Sequence, residues 1–191
     1  MEKINMLVKI ISISWGIVLF FLYILSGKSS KINDKGSSLL LFVVIGYIIQ
    51  LGIPNAIKSQ EAGFGYISKN NILIAYIGIL FICFGIILEI ISIYTLKKQF
   101  SVVVKTIENH KLIDYGIYKY IRHPMYTAAL LIITGFGLAL ANWIYTIIFA
   151  VLGLIAFSYR IIIEERFLEE CFGEKYLEYK KRTKKIIPKI Y

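Results

Sequence analysis

The run MYTAALLIITGFGLALANWIYTIIFAVLGLIAFSYRIII, residues 125–163, decides the fold. A membrane span takes about 20 mostly apolar residues. Asn142 is the only clear interruption in this run, which therefore reads as a tight helical hairpin of Met125–Ala141 and Trp143–Ile163. Three more apolar blocks lie upstream. They are Ile4–Ser26, with Lys9 near its start; Ser38–Ile57, with Pro54 near its end; and Ile72–Leu96. A proline near the end of a helix disturbs it least. The first block is too long for a signal-peptide core and shows no evident small-residue cleavage site, so it is expected to be retained. No internal repeat or low-complexity linker interrupts the pattern.

Composition agrees. Hydrophobic residues make up 58% of the 191, against about 45–50% in an ordinary soluble domain. The net charge of +10 would suggest nucleic acid in a soluble chain. Here the basic residues lie between apolar blocks, where they set membrane orientation, and no nucleic-acid partner is expected. Cys83 and Cys171 are expected to form no disulfide and have no metal-type spacing. The segment Glu164–Tyr191 holds eight Lys/Arg and six Glu and is no span. It reads as a solvated amphipathic helix with a short tail.

The fold class expected is thus an all-α integral membrane protein, with five transmembrane helices plus a C-terminal amphipathic cytosolic helix. The loop from 97 to 124 carries Lys97, Lys98, Lys105, Lys111, Lys119 and Arg122. The hairpin puts that loop and the basic C-terminal segment on one side, cytosolic by the positive-inside rule. Lys28, Lys31 and Lys35 fall there too, while Lys58 and Lys69 fall outside. The N-terminus is then outside, against the pull of Lys3 and Lys9.

Two polar regions flank the hairpin on the cytosolic side: NHKLIDYGIYKYIRHPMY, residues 109–126, and RIIIEERFLEECFGEKYLEYKKR, residues 160–182. Each residue has a plain structural reading. His123-Pro124 suits a helix start, and Arg160 and Glu164 suit an i,i+4 ion pair. Tyr176 and Tyr179 share one helix face and suit an interfacial belt. Glu89, an acid inside a span, is a functional candidate by default, although it can also reach the interface or pair with a lysine. No dinucleotide fingerprint, P-loop or HExxH is present.

The ordered combination is more specific. His-x-Leu-Ile (110–113), Gly-Ile-Tyr (116–118), Arg-His-Pro-x-Tyr (122–126), the apolar hairpin, Glu164-Glu165 and Phe-Gly-x-x-Tyr-x-x-Tyr (172–179) follow one another. Over residues 97–188 the chain resembles the isoprenylcysteine carboxyl methyltransferase family of membrane enzymes. The resemblance implies a catalytic region, 97–191, behind three N-terminal spans, 1–96. It implies S-adenosylmethionine as cofactor, held without a Rossmann domain, and no metal. By motif position, His110, Lys111, Leu112 and Ile113 line the cofactor pocket, Tyr118 packs near the adenosyl group, and His123, Pro124, Met125 and Tyr126 form the floor. Glu164 touches the cofactor and Arg160 stands near the acceptor carboxylate. These two with His123 are the implied catalytic set. Arg122 and Glu165 are supports, and Tyr176 and Tyr179 fasten the tail helix.

Nothing upstream of residue 97 identifies a prenyl pocket. A carboxylate on a lipophilic, isoprenylcysteine-like acceptor is expected. A lipid amine is the alternative, with His123 or Glu165 as base. A non-catalytic scaffold using the basic stretch KKRTKK, residues 180–185, is another. A lipid-accessible opening is expected near the inner ends of spans three to five. Gly135 and Gly137, with Thr134, would leave room there for an apolar tail, or else serve close helix packing.

Overall fold

The computed structural model describes residues 2–27, 32–34, 36–67, 72–100, 104–105 and 111–187. His110, and the lysines 28, 31, 35 and 69 counted for orientation, lie outside the described residues. Helix α1 is Glu2–Gly27, and α2 is Gly36–Tyr47, continued by a π-helical turn, Ile48–Gly52, into α3, Ile53–Glu61. Helices α4 (Ile72–Leu96), α5 (Pro124–Ala139), α6 (Trp143–Phe172) and α7 (Glu174–Arg182) follow. The loops add 3-10 turns at Lys97–Gln99 and Gly116–Lys119, and a minimal antiparallel pair of β1 (Ile32–Asp34) with β2 (Val104–Lys105).

The apolar blocks become helices with some shifts. Among the described residues, four helical stretches are long and apolar enough to cross a membrane: Glu2–Phe21, Leu40–Ser59, Ile72–Leu96 and Trp143–Phe172. With this architecture the chain is a multi-pass integral membrane protein. The expected fourth span is the shorter helix α5, whose 16 residues rise only about 24 Å. The second span runs through Pro54. Proline has no N–H to donate to the fourth preceding carbonyl, and the π turn just before it absorbs that defect.

The expected end of the last span at Ile163 needs correction. Helix α6 continues nine residues further, because Glu164–Phe172 contains no helix breaker. It stops only at Gly173, whose φ of 54° favours glycine. Its 30 residues rise about 45 Å, more than the bilayer core needs. The charged segment expected as a separate helix is thus partly the inner end of this span.

Helices α4 and α5 pack antiparallel through small residues. A Cβ added at Gly78 would meet Ala139 N at 2.1 Å, and one at Gly85 would meet Ala128 O at 2.8 Å. Gly135 abuts Gly78 O and Ile82, and Gly137 abuts the Thr146 backbone. These two glycines therefore serve close helix packing, and the idea that they leave room for an acceptor tail is withdrawn. Gly78→Ala is expected to destabilise the protein by about 1–3 kcal/mol, seen as a lower unfolding temperature in detergent. Gly46→Ala, with nothing within 4 Å of the new methyl, should be neutral or slightly stabilising.

The α5–α6 turn is tied down at the opposite end from the charged motifs. The Asn142 side chain donates to Ser59 Oγ at 2.8 Å and to Phe64 O at 3.2 Å. Its Oδ1 accepts from Tyr145 N at 3.2 Å. The residue that looked like a mere interruption is fully buried and caps α6 while fixing the hairpin to the 59–66 segment.

Candidate active site

The motif residues converge where α5 begins, α6 leaves the apolar zone and α7 folds back. Pro124 occupies the first turn of α5, as its fixed φ and missing N–H favour. That places His123 just before the helix and Tyr126 one turn in. The tail after α7 returns beneath this corner. Arg122 N donates to Lys184 O at 2.8 Å, His123 N to Lys185 O at 3.0 Å, and Thr127 Oγ1 to Ile186 O at 2.8 Å.

A cluster of buried charges fixes the corner. Arg122 Nε donates to Glu165 Oε1 at 2.8 Å, and its Nη1 donates to Thr183 O at 2.5 Å. Lys180 Nζ reaches Glu165 Oε2 at 3.6 Å and Glu169 Oε1 at 2.5 Å. His123 Nε2 lies 3.3 Å from Glu165 Oε1, which orients the ring. Arg182 pairs with Asp114. Of the basic stretch at 180–185, Lys180 and Arg182 pair with carboxylates and the backbone of Lys184 and Lys185 pairs with Arg122 and His123, while the side chains of Lys181, Arg182 and Lys184 stay exposed.

A second chain of polar contacts faces a cavity. Tyr126 Oη donates to Glu164 Oε2 at 2.6 Å and accepts from Arg160 Nε at 3.1 Å. The tyrosine thus stands between the two groups that the spacing suggested as a simple ion pair. Its ring stacks on His123 and on Phe157, with centroids 5.6 Å apart in each case. His123 Nδ1 is 3.9 Å from Glu164 Oε2. Arg160 is 2% exposed, a fully buried cation at the base of the polar end.

Lys111, Leu112, Ile113, Tyr118, His123 and Met125 line the same cavity as Tyr126, Arg160 and Glu164. Lys111 N donates to Gln99 Oε1 at 3.1 Å. Tyr176 and Tyr179 also line it, from α7, so they face inward and form no membrane-surface belt. Tyr179 Oη donates to Tyr118 O at 2.7 Å, which closes α7 over the loop. Arg122 reaches the cavity wall, whereas Pro124 and Glu165 support it from behind.

Burial pushes the hydroxyls of Tyr118, Tyr176 and Tyr179 well above the usual tyrosine range, so all three stay protonated. Tyr176 Oη is fully buried and has no hydrogen-bond partner among the described residues. An orphan of this kind costs about 1–3 kcal/mol until a ligand atom satisfies it.

The apolar end of the cavity comes from residues that the sequence did not single out. Trp15 and Leu19 of α1, Leu41, Phe42 and Ile45 of α2, and Phe157 of α6 form it. Only Glu89 had been marked upstream of residue 97. It lines this end and accepts from Trp15 Nε1 at 3.0 Å, so its partner is a tryptophan and not a lysine. Among isolated blocks of leucine and isoleucine nothing marks which face looks inward. Trp15 and Glu89, polar atoms in two different spans, were the available signal.

A family model described as phospholipid methyltransferase matches residues 73–175, more than half of the chain. The chain is 35% identical over 122 residues to a protein-S-isoprenylcysteine O-methyltransferase B of Arabidopsis thaliana, covering 63% of this chain and 62% of that one. It is 34% identical over 112 residues to a protein-S-isoprenylcysteine O-methyltransferase of Schizosaccharomyces pombe, covering 58% and 48%. The matched part thus spans between about half and three fifths of these relatives. A solved eukaryotic intramembrane Ras methyltransferase, isoprenylcysteine carboxyl methyltransferase, shares the fold with a TM-score of 0.60 at 16% identity. The likeness covers 95% of this chain and 85% of that one.

Proposed function

Because the chain belongs to the phospholipid methyltransferase family, we propose that it is a membrane methyltransferase that moves a methyl group from S-adenosylmethionine to a carboxylate on a lipophilic, isoprenylcysteine-like acceptor. One observation carries this reading: a single cavity joins a polar end, with Tyr126, Arg160 and Glu164, to an apolar end between α1 and α2. A water-soluble cofactor and a lipid-dissolved acceptor need such a meeting place. The names of the relatives support the carboxylate as acceptor group.

Helix α5 acts as a fifth, short span, with the N-terminus outside and the site facing the cytosol. The basic residues of the 97–124 loop and of the C-terminal segment support that orientation. In a bacterial cell the membrane is the cell membrane.

The cavity suits the cofactor chemically. The orphan Tyr176 hydroxyl offers a donor, Glu164 offers a carboxylate for a cationic group, and the apolar faces of Leu112 and Ile113 offer a bed for adenine. His110, Lys111, Leu112, Ile113 and Tyr118 hold the adenosyl side, with His123, Pro124, Met125 and Tyr126 beneath. S-adenosylmethionine supplies an electrophilic methyl group on a sulfonium. A carboxylate acceptor is already ionised at neutral pH, so the protein needs no strong base. Arg160 clamps the acceptor carboxylate through its guanidinium nitrogens. Tyr126, fixed between Arg160 and Glu164, sets the distance between acceptor and cofactor, so the gain comes from positioning and exclusion of water. An amine acceptor would need a base. Of the two candidates, Glu165 is held behind the wall by Arg122 and Lys180, which leaves His123, on the cavity wall, as the base an amine acceptor would use.

Calorimetric titration of the detergent-solubilised protein with S-adenosylhomocysteine tests the reading against a scaffold. Saturable binding is expected, weakened about tenfold or more by Glu164→Ala, the loss of one charged hydrogen bond. No binding to the wild-type protein would leave the scaffold.

A further inference from the structure

The chain after α7 returns to the start of α5, and backbone bonds fix its path. Lys184 N donates to Tyr120 O at 3.4 Å, and Lys184 O accepts from Arg122 N at 2.8 Å. Lys185 O accepts from His123 N at 3.0 Å, and Ile186 O accepts from Thr127 Oγ1 at 2.8 Å. Each step of the tail meets a residue further along the chain into α5. With α5 as a span, residues 184–187 descend beside its first turn toward the bilayer.

Sequence polarity follows that descent. The Lys184 side chain is exposed, and Ile187, three residues deeper, is 45% exposed. The 16 residues of α5 rise about 24 Å, less than the apolar core of about 30 Å. Counted from the hairpin turn at the outer face, its inner end does not pass the headgroup level. A lysine at that depth sits among headgroups, and an isoleucine below it meets acyl chains. Exposed tyrosines mark the same level. Tyr94 ends α4, Tyr115 Oη lies 3.5 Å from Thr95 O, and Tyr120, 61% exposed, precedes Ile121, which bridges to Lys184. Tyrosines collect at the boundary between membrane and water.

The charge at this rim is unbalanced. Lys119, Lys181 and Lys184 are exposed, and none pairs with a carboxylate among the described residues. Asp114, the acid of the 111–123 loop, is taken by Arg182. Glu165 and Glu169 are taken by Arg122 and Lys180. The exposed acids Glu174 and Glu178 lie earlier on α7. Lys119, Tyr120, Lys184 and Ile187 line no part of the cavity.

We propose that these four residues seat an anionic phospholipid of the cytosolic leaflet. Its phosphate meets the ammonium groups of Lys119 and Lys184, and an acyl chain covers Ile187. The lipid is a structural ligand and not the methyl acceptor, because its seat lies outside the cavity. Its effect reaches the site through the backbone. A lipid that pins residues 184–187 also pins the carbonyls that hold Arg122 and His123. The inference uses the placement of α5 and the orientation proposed above, but not methyl transfer, so either reading can fail alone.

Native mass spectrometry of the full chain tests it. The protein is released from micelles holding equal amounts of phosphatidylglycerol and phosphatidylcholine with matched acyl chains, and the lipids that stay bound are counted. The wild-type protein should retain phosphatidylglycerol in preference by about tenfold or more, since each lysine near an anionic surface contributes about fivefold. Lys184→Gln should lower the preference about fivefold, and adding Lys119→Gln should bring the two lipids close to equal. Lys175→Gln, at the start of α7, removes the same charge far from the tail and should change nothing. All three side chains are exposed, and unchanged helix content by circular dichroism shows that each variant is folded. Phosphatidylglycerol should also raise the unfolding temperature of the wild-type protein above its value in phosphatidylcholine, and not that of the double variant. Equal retention of the two lipids by the wild-type protein, or a preference that survives in the double variant, would overturn the inference. So would a preference that Lys175→Gln lowers as much as Lys184→Gln, because net charge alone would then explain it. Displacement of the bound phosphatidylglycerol by millimolar inorganic phosphate would assign the lysines to a soluble anion and overturn it as well.

Discussion

Arg160→Ala is expected to cut kcat/KM for a carboxylate acceptor about a hundredfold, while affinity for S-adenosylhomocysteine stays within a few-fold of wild type. The guanidinium is fully buried and its Nε is engaged with Tyr126 Oη, which leaves the side chain held in place at the base of the cavity. Losing a charge-assisted bond of about 3 kcal/mol corresponds to roughly that factor. Arg160→Lys should not restore the rate, because a single ammonium cannot reproduce the planar fork. Initial rates measured against both substrates check this. If the alanine variant lost cofactor binding and kept normal acceptor saturation, the roles assigned to the two ends of the cavity would be reversed.

Glu165→Ala acts on stability. Its carboxylate receives Arg122 at 2.8 Å, lies 3.3 Å from His123 and 3.6 Å from Lys180, and is almost fully buried. Removing it leaves Arg122 buried without its anionic partner, which costs about 3–5 kcal/mol. A marked drop in unfolding temperature in detergent should result. Adding Arg122→Met to Glu165→Ala should recover part of the loss, since the stranded charge is then gone. An unfolding temperature unchanged by Glu165→Ala would mean that this cluster does not hold the corner together. Weakened cofactor binding is also expected, because Glu165 orients His123.

Four of the five apolar blocks were legible as helices long enough to cross a membrane, because such stretches are too apolar to be anything but buried or lipid-facing; the fifth forms the shorter helix α5. Boundaries were less legible. Nothing at Ile163 stops a helix, and the charges beyond it marked a change of solvent and not a change of structure. Pro54 lies near the expected end of its block, at Ile57, whereas the helix runs on to Glu61, and the π turn that carries it past the proline has no composition of its own. Asn142 read as a gap, although its side chain is the hub of the turn it makes. The polar end of the site was legible through motif order. The structure places Lys111, Tyr118, His123, Tyr126, Arg160, Glu164, Tyr176 and Tyr179 around one cavity. The linking position of Tyr126 was not legible, because i,i+4 spacing paired Arg160 with Glu164 directly. The apolar wall from α1 and α2 was hidden for a simpler reason. In a lipid-facing helix, inward and outward residues are drawn from the same apolar set.

The most direct measurement is transfer of a tritiated methyl group from S-adenosylmethionine to S-farnesylcysteine by the purified protein in detergent or lipid vesicles, followed by mild alkali. A carboxyl methyl ester hydrolyses under those conditions and releases its label as volatile methanol. The account predicts acceptor-dependent label that becomes volatile in base and disappears with Arg160→Ala. Label that stays in the lipid fraction after alkali, as an N-methyl amine would, or no transfer by a protein that binds S-adenosylhomocysteine and farnesylcysteine, would contradict it.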